Sequence, residues 1–287
     1  MTDPRVRHLT RDGIRIAFEE AGDGAAPPLL LVHGLSCDRT LMRPLLERYA
    51  ASRHVVSVDL RGHGESDPGG PYRVELFVDD LEWLVSQLDL ERPVVVGHSL
   101  GGLLAVELGA RRHGDVGAVV ALDTIFFPDE LASWRPGLGA MLGKLSSGQD
   151  AEAAHETWIR TVHIGPADDP VTAERILEVM RRTPLSVTLD LVDEIRAWDS
   201  RHALGRVPVP VLVVCAEAGS PQDPSRLCAD LPHLYVGSTV GSGHFVQLMV
   251  PDQVTAMIDQ FLRIAGDEHV EAREPRPVGA ARSQPPS

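Results

Sequence analysis

The sequence predicts an α/β fold: a doubly wound, mostly parallel sheet with a helical insertion after its sixth strand. Three observations predict it. Short, mostly apolar runs recur at 28–32, 54–58, 93–97, 116–122 and 209–215; stretches of helical length separate them; and the rhythm breaks between Phe127 and Val207. Runs this short and apolar suit strands buried on both faces, where no polar alternation is needed. Strands alternating with helices imply parallel crossovers with helices on both sides of the sheet.

Each element follows in order. Arg5–Thr10 and Ile14–Glu20 alternate around Arg11-Asp12-Gly13, a hairpin signature. A loop is expected at 21–27, before the first apolar run. Amphipathic segments at 40–50, 75–89 and 100–112 supply the crossover helices, and 252–264 closes the fold. Between Phe127 and Val207 only helical patterns appear (151–163, 173–182, 186–198), together with Trp134, Trp158 and Trp198. A helical segment between two core strands is read as a cap over the strand ends. The expected organisation is a core of 1–127 and 207–265, a cap of 128–206, and a disordered tail of 266–287, which is rich in proline, charge and small residues.

Composition narrows the function. Of 287 residues 43% are hydrophobic and 24% charged, ordinary globular values. The 41 acidic residues outnumber the 27 basic ones, for a net charge of −14. That charge disfavours nucleic acid or an anionic membrane as partner. Cys37, Cys215 and Cys228 have neither metal-ligand spacing nor the pattern of a disulfide framework. No stretch reads as a signal peptide or a membrane span, so a soluble cytoplasmic protein is expected. No phosphate-binding loop or zinc-like cluster is visible, and neither cofactor nor metal is expected.

The segment Val94-Val-Val-Gly97-His98-Ser99-Leu100-Gly101-Gly102 carries the chemistry. It is Gly-x-Ser-x-Gly between a buried strand and a helix, the context in which the motif acquires meaning. So sharp a turn forces the serine into a strained backbone conformation and lifts its hydroxyl into the crevice at the strand ends. Glycines two residues to either side are required because a Cβ would collide with a neighbouring strand or helix. The helix that follows offers a field favourable to negative charge.

Over about residues 5–265 the chain resembles the α/β-hydrolase fold superfamily. Three segments besides the serine turn carry the likeness: Leu30-Leu-Val-His33-Gly34-Leu35; Asp59-Leu-Arg61-Gly62-His63-Gly64-Glu65-Ser66; and Gly243-His244-Phe245, followed by Pro251 and a helix ending in Phe261-Leu262. The resemblance implies Ser99 as nucleophile and His244 as its base. It also implies that the backbone N–H groups of Leu35 and Leu100 donate to the developing oxyanion. His33, His63 and His98 are read as structural. His155, His163 and His202 fall in the cap region, where solvated surface positions are favoured and a substrate contact is left open.

The orienting acid departs from the common family pattern. After the penultimate strand, where aspartate is usual, the chain has Ala216-Glu217-Ala218-Gly219, and Asp223 comes four residues late. Some members carry the acid at the end of the sixth strand, where this chain has Asp123. Asp123 is therefore favoured, with Asp223 and Glu217 left open. A serine at position 99 argues against the aspartate-nucleophile members, the dehalogenases and epoxide hydrolases. What remains is hydrolysis of a carboxylic ester or lactone of a small to medium apolar substrate, with Gly34, Phe126 and Trp134 as candidate contacts and a place in the cap core slightly favoured for the aromatics. The alternatives are C–C bond or thioester hydrolysis by the same residues, or a non-catalytic ligand-binding protein.

Overall fold

The computed structural model describes residues 5–111, 115–127, 129, 151–216, 226–227, 231 and 233–273. Among these described residues seven strands form one sheet: β1 (Arg5–Arg11), β2 (Ile14–Val32), β3 (Arg53–Val58), β4 (Val94–His98), β5 (Ala118–Leu122), β6 (Val211–Cys215) and β7 (Leu234–Ser238). β1 and β2 form the expected antiparallel hairpin, Arg5 opposite Glu20 and Arg11 opposite Ile14. The loop expected at 21–27 is instead part of β2, which runs unbroken with several register shifts along β3 and merges two expected strands, so the strand read as sixth in the sequence is β5. Partner numbers fall along its first half (Phe18 opposite Val58, Ala21 opposite Val55) and rise along its second (Leu29 opposite Val55, Val32 opposite Val58). β3 thus lies between the two halves of β2.

The second half of β2 continues into β4, then β5, β6 and β7, all in parallel register. From the end of β2 the chain crosses first to β3 on one side and then to β4 on the other. Connections that leave in opposite directions open a crevice at the carboxyl ends of β2 and β4, where open α/β sheets bind ligands.

The period-two geometry of a strand divides the core between the two faces of the sheet. Leu30, Val32, Val95, Val119, Ala121 and Val213 pack on one face with α2 (Val74–Gln87) and α3 (Leu100–Arg111). Leu29, Leu31, Val96, Val120, Leu122 and Val214 pack on the other with α1 (Arg43–Tyr49) and the closing helix. Each such aliphatic side chain taken out of water contributes roughly 1.5–3 kcal/mol, which is why wholly apolar runs become central strands. α3 is buried from Leu100 to Ala110 and fills the middle of its face.

Among the described residues between β5 and β6 are four helices: α4 (Ala151–His163), α5 (Pro170–Arg182), α6 (Leu185–Ala197) and the short α7 (Arg201–Leu204). α5 begins with proline in its first turn, and the carboxylate of Asp169 accepts from Thr172 N–H, a standard start signal. Trp158, Ile159, Ile176, Leu177, Met180 and Leu191 join the same core as α2 and α3. The short α8 (Val246–Met249) precedes α9 (Pro251–Arg273), which continues past Gly266, where the sequence suggested a disordered tail. No helix among the described residues is long and apolar enough to cross a membrane.

Candidate active site

Ser99 follows β4 directly, with φ +52°. Its N–H donates to Leu122 O at 2.8 Å, and its carbonyl accepts from Gly102 N–H at 2.9 Å. The surrounding glycines leave no alternative: a Cβ on Gly97 would lie 2.0 Å from Gly101 O, and one on Gly101 would lie 2.2 Å from Val32 O. Two other non-glycine residues with positive φ stand at strand carboxyl ends in the same region, Ser36 (+57°) after β2 and Asp123 (+44°) after β5. Such conformations cost about 1–3 kcal/mol each and cluster where function over-determines the backbone.

His244 lies in the loop after β7, 6% exposed, beside Asp123, 3% exposed. Its Nδ1–H donates to Asp123 Oδ2 at 2.7 Å, which leaves Nε2 as the basic nitrogen. Asp123 Oδ1 accepts from Ala216 N–H at 3.0 Å, and the Asp123 N–H is tied to Val214 O at 2.7 Å. The carboxylate is thus fixed by the adjacent strand β6 on one side and spent on the imidazole on the other. Glu217, Asp223 and Trp134 lie outside the described residues.

His98 supplies the link between the serine turn and the histidine loop. Its Nε2–H donates to the His244 carbonyl at 2.9 Å, and the two rings stand 4.6 Å apart. Burial, reinforced by the neighbouring His244, holds the His98 imidazole far below its usual range. His33 donates from Nδ1 to Gly34 O at 2.8 Å and accepts from Leu60 N–H at 3.0 Å. His63 accepts from Ser36 N–H at 3.3 Å and donates to Arg61 O at 3.0 Å. Both rings fasten the loop after β2 to the loop after β3, and both are pushed down by burial, His63 to about 3.

Leu35 is in that fastened loop, and Leu100 is the first residue of α3, where a helix leaves its N–H groups without internal partners. Neither N–H meets a protein acceptor among the described residues. Gly34 faces the serine: a Cβ there would lie 3.0 Å from His98 Nδ1 and 3.2 Å from Ser99 Cβ. Phe126, a candidate substrate contact by sequence, is only 1% exposed. It packs in the core, and its carbonyl accepts from Ser200 N–H at 3.1 Å.

The helical insert meets this centre in two places that the sequence did not reveal. On the Leu35 side, Ser36 Oγ and Thr188 Oγ1 are 2.8 Å apart, and Thr183 Oγ1–H donates to Ser36 O at 3.1 Å. On the histidine side, Asp168 accepts from Gly243 N–H at 2.7 Å. His155 and His163, expected at the surface, are buried. The His163 ring lies 5.0 Å from that of His244 and 4.9 Å from Trp158, which stacks on His155 at 5.6 Å. Helical spacing explains the correction: 155, 158, 159 and 163 share one face of α4, and Trp158 and Ile159 turn it inward. His202 remains half exposed, 3.2 Å from the buried Glu107, which also accepts from Trp198 Nε1–H at 2.9 Å.

A groove of about 990 Å³, lined by Pro27, Arg53, Glu91, Arg92 and Leu262 among others, opens at the amino ends of the strands. The candidate centre lies at the opposite end: a serine on a left-handed turn, a buried imidazole hydrogen-bonded to a buried carboxylate, and the N–H groups of Leu35 and Leu100 are the parts expected of a hydrolase of the doubly wound α/β class. A family model described as the alpha/beta hydrolase family matches residues 29–257, and the chain belongs to that family. It is 32% identical to a pimeloyl-[acyl-carrier protein] methyl ester esterase of Neisseria meningitidis over 200 residues, 66% of this chain and 74% of that one. It is 28% identical to a 2-(acetamidomethylene)succinate hydrolase of Mesorhizobium japonicum over 264 residues, 86% of this chain and 92% of the relative. The fold matches that of an enol-lactonase from Burkholderia xenovorans with a TM-score of 0.78 at 23% identity, covering 90% of this chain and all of that one.

Proposed function

We propose that this protein is a carboxylic ester hydrolase that cleaves an ester or lactone of a small to medium apolar substrate through an acyl-enzyme. The observation that carries the reading is the 2.7 Å hydrogen bond from His244 Nδ1–H to Asp123, with the His244 ring 4.6 Å from that of His98, which precedes a serine held at positive φ. In that arrangement His244 Nε2 takes the Ser99 proton as Oγ attacks the carbonyl carbon. The oxyanion forms against the N–H groups of Leu35 and Leu100. Collapse of the intermediate expels the alkoxide, which takes the proton from His244. Water, deprotonated by the same imidazole, then releases the acid and restores Ser99. Asp123 keeps the proton on Nδ1 and stabilises the imidazolium.

Residues 128–206 are assigned as a cap over a core of 1–127 and 207–265. The attachments of Thr183 and Thr188 to Ser36, next to Leu35, support that assignment. The likeness to a relative named a methyl ester esterase supports the ester class.

The test is turnover of p-nitrophenyl esters of increasing acyl length and of aromatic lactones, with Ser99→Ala as the blank. Hydrolysis that disappears in the variant, with a preference for some acyl length, is expected. Wild-type rates no higher than the blank across the panel would overturn the ester reading.

A further inference from the structure

Three restraints act on the segment that carries His244. Asp123 holds its imidazole, and His98 holds its carbonyl. The third restraint acts on the backbone just before it. Asp168, in the loop between α4 and α5, accepts from Gly243 N–H through Oδ1 and from Gly165 N–H through Oδ2, both at 2.7 Å. The two glycines lie back to back beneath this carboxylate. A Cβ on Gly243 would come within 2.5 Å of Asp168 Oδ2 and 2.7 Å of Gly165 N, and one on Gly165 would lie 3.0 Å from Gly243 Cα. The contact is therefore a close fit of the insert onto the histidine loop, and the side chain that closes it belongs to the insert.

We propose that Asp168 is a positioning residue for His244: its carboxylate fixes the Gly243 peptide, so the insert sets part of the geometry of the base. The proposal rests on the hydrolase reading above. Gly243 is flanked by Gly241, at φ +77°, and by Ser242, whose hydroxyl pairs with Thr239 at 2.7 Å. Glycine at 241 and 243 makes the stretch soft, and a charge-assisted acceptor at 243 removes that softness next to the base. Displacement of a catalytic group by about 1 Å can cost about a hundredfold in rate.

The experiment compares Asp168→Ala, Asp168→Asn and Asp169→Asn with the wild type, well below their unfolding temperatures. It reads Ser99 labelling by a fluorophosphonate, ester kcat and KM, and the acid limb of the pH–rate profile. Asp169→Asn is the control, because the Asp169 carboxylate caps the start of α5, accepting from Thr172 N–H and Oγ1–H, and is not hydrogen-bonded to the histidine loop among the described residues. Asp168→Ala is expected to slow labelling and kcat about ten- to hundredfold with KM little changed. Asp168→Asn keeps one acceptor oxygen and should fall between Ala and wild type; it carries the test if the alanine variant does not fold.

Loss of the Asp168 charge alone would move the acid limb equally in Ala and Asn, without the graded loss of rate, and that result overturns the proposal. So does an Asp168→Ala rate within twofold of wild type, or an equal loss in Asp169→Asn. A wild type that the probe does not label at all overturns the hydrolase reading and this proposal with it, whereas labelling that is indifferent to Asp168 overturns this proposal alone.

Discussion

The carboxyl end of the sheet and the helical insert above it are built by different means. At the sheet end geometry comes from the backbone: glycines at 97 and 101 that admit no Cβ, and left-handed residues at Ser36, Ser99 and Asp123. The insert is attached to that centre by side-chain hydrogen bonds: Thr183 donates to Ser36, Thr188 pairs with the Ser36 hydroxyl, and Asp168 accepts from Gly243 N–H. A backbone constraint demands one residue type at one position, so it appears in the sequence as a motif. A side-chain attachment can be met by several residues at several positions, and it leaves no spacing to recognise.

The largest effect should come from Asp123→Asn. The amide would let the imidazole settle in the wrong tautomer, with kcat falling about 10⁴-fold while the fold survives. Glu217→Gln and Asp223→Asn should stay within a few-fold of wild type. Steady-state kinetics with thermal unfolding as the control checks this, and a loss confined to Asp223→Asn would move the acid to the loop after β6.

Gly34→Ala sharpens the backbone side of the contrast. Its methyl would press on His98 Nδ1 and Ser99 Cβ at 3.0 and 3.2 Å. A fall in kcat of about tenfold to a hundredfold is expected, read against circular dichroism showing an intact fold. Wild-type turnover in that variant would mean that the serine turn has more freedom than its geometry indicates.

Acid stability tests the buried histidines of the core end. Burial holds His33, His63 and His98 below the ordinary imidazole range, His63 at about 3. The unfolded imidazole takes up its proton near pH 6.5, whereas the folded His63 does not until about pH 3. The unfolded state therefore binds more protons below 6.5. Stability is fully present above 6.5 and is lost as pH falls toward 3, by about 1.4 kcal/mol per pH unit for His63 alone. Urea midpoints should drop between pH 7 and pH 5, and a flat profile over that interval would contradict the burial of these rings.

The smallest effect belongs to Thr188→Val, which removes one hydrogen bond between insert and core while keeping the shape. A loss of about 1 kcal/mol is expected in denaturant unfolding. A change much larger than this would show that the attachment at Ser36 governs how the insert folds, beyond holding it in place.

Much of the centre was legible in advance because it lies on the chain's most constrained segments. Gly97-His98-Ser99-Leu100-Gly101 announces the turn, and the apolar runs announce the strands that present it. The strand through 21–27 reads as a loop because a bulged strand shaped to its neighbour β3 has no period of its own. His155 and His163 were placed at the surface because single histidines carry little weight beside the charged residues of α4. Reading Trp158 and Ile159 as marking the inward face would have corrected that.

The sequence by itself determined the alternation of strand and helix, the serine on its glycine-framed turn, and the histidine in its Gly-His-Phe segment ahead of the closing helix. These follow from local rules: hydrophobic periodicity, and backbone conformations that only certain residues tolerate. The tertiary structure alone decided which carboxylate stands against His244, because Asp123 and His244 are 121 residues apart and meet only once β5, β6 and β7 lie side by side. It also decided that Asp168 and Thr188 touch the same centre. Such contacts depend on how one element lies on another, and no segment of the chain holds that information alone.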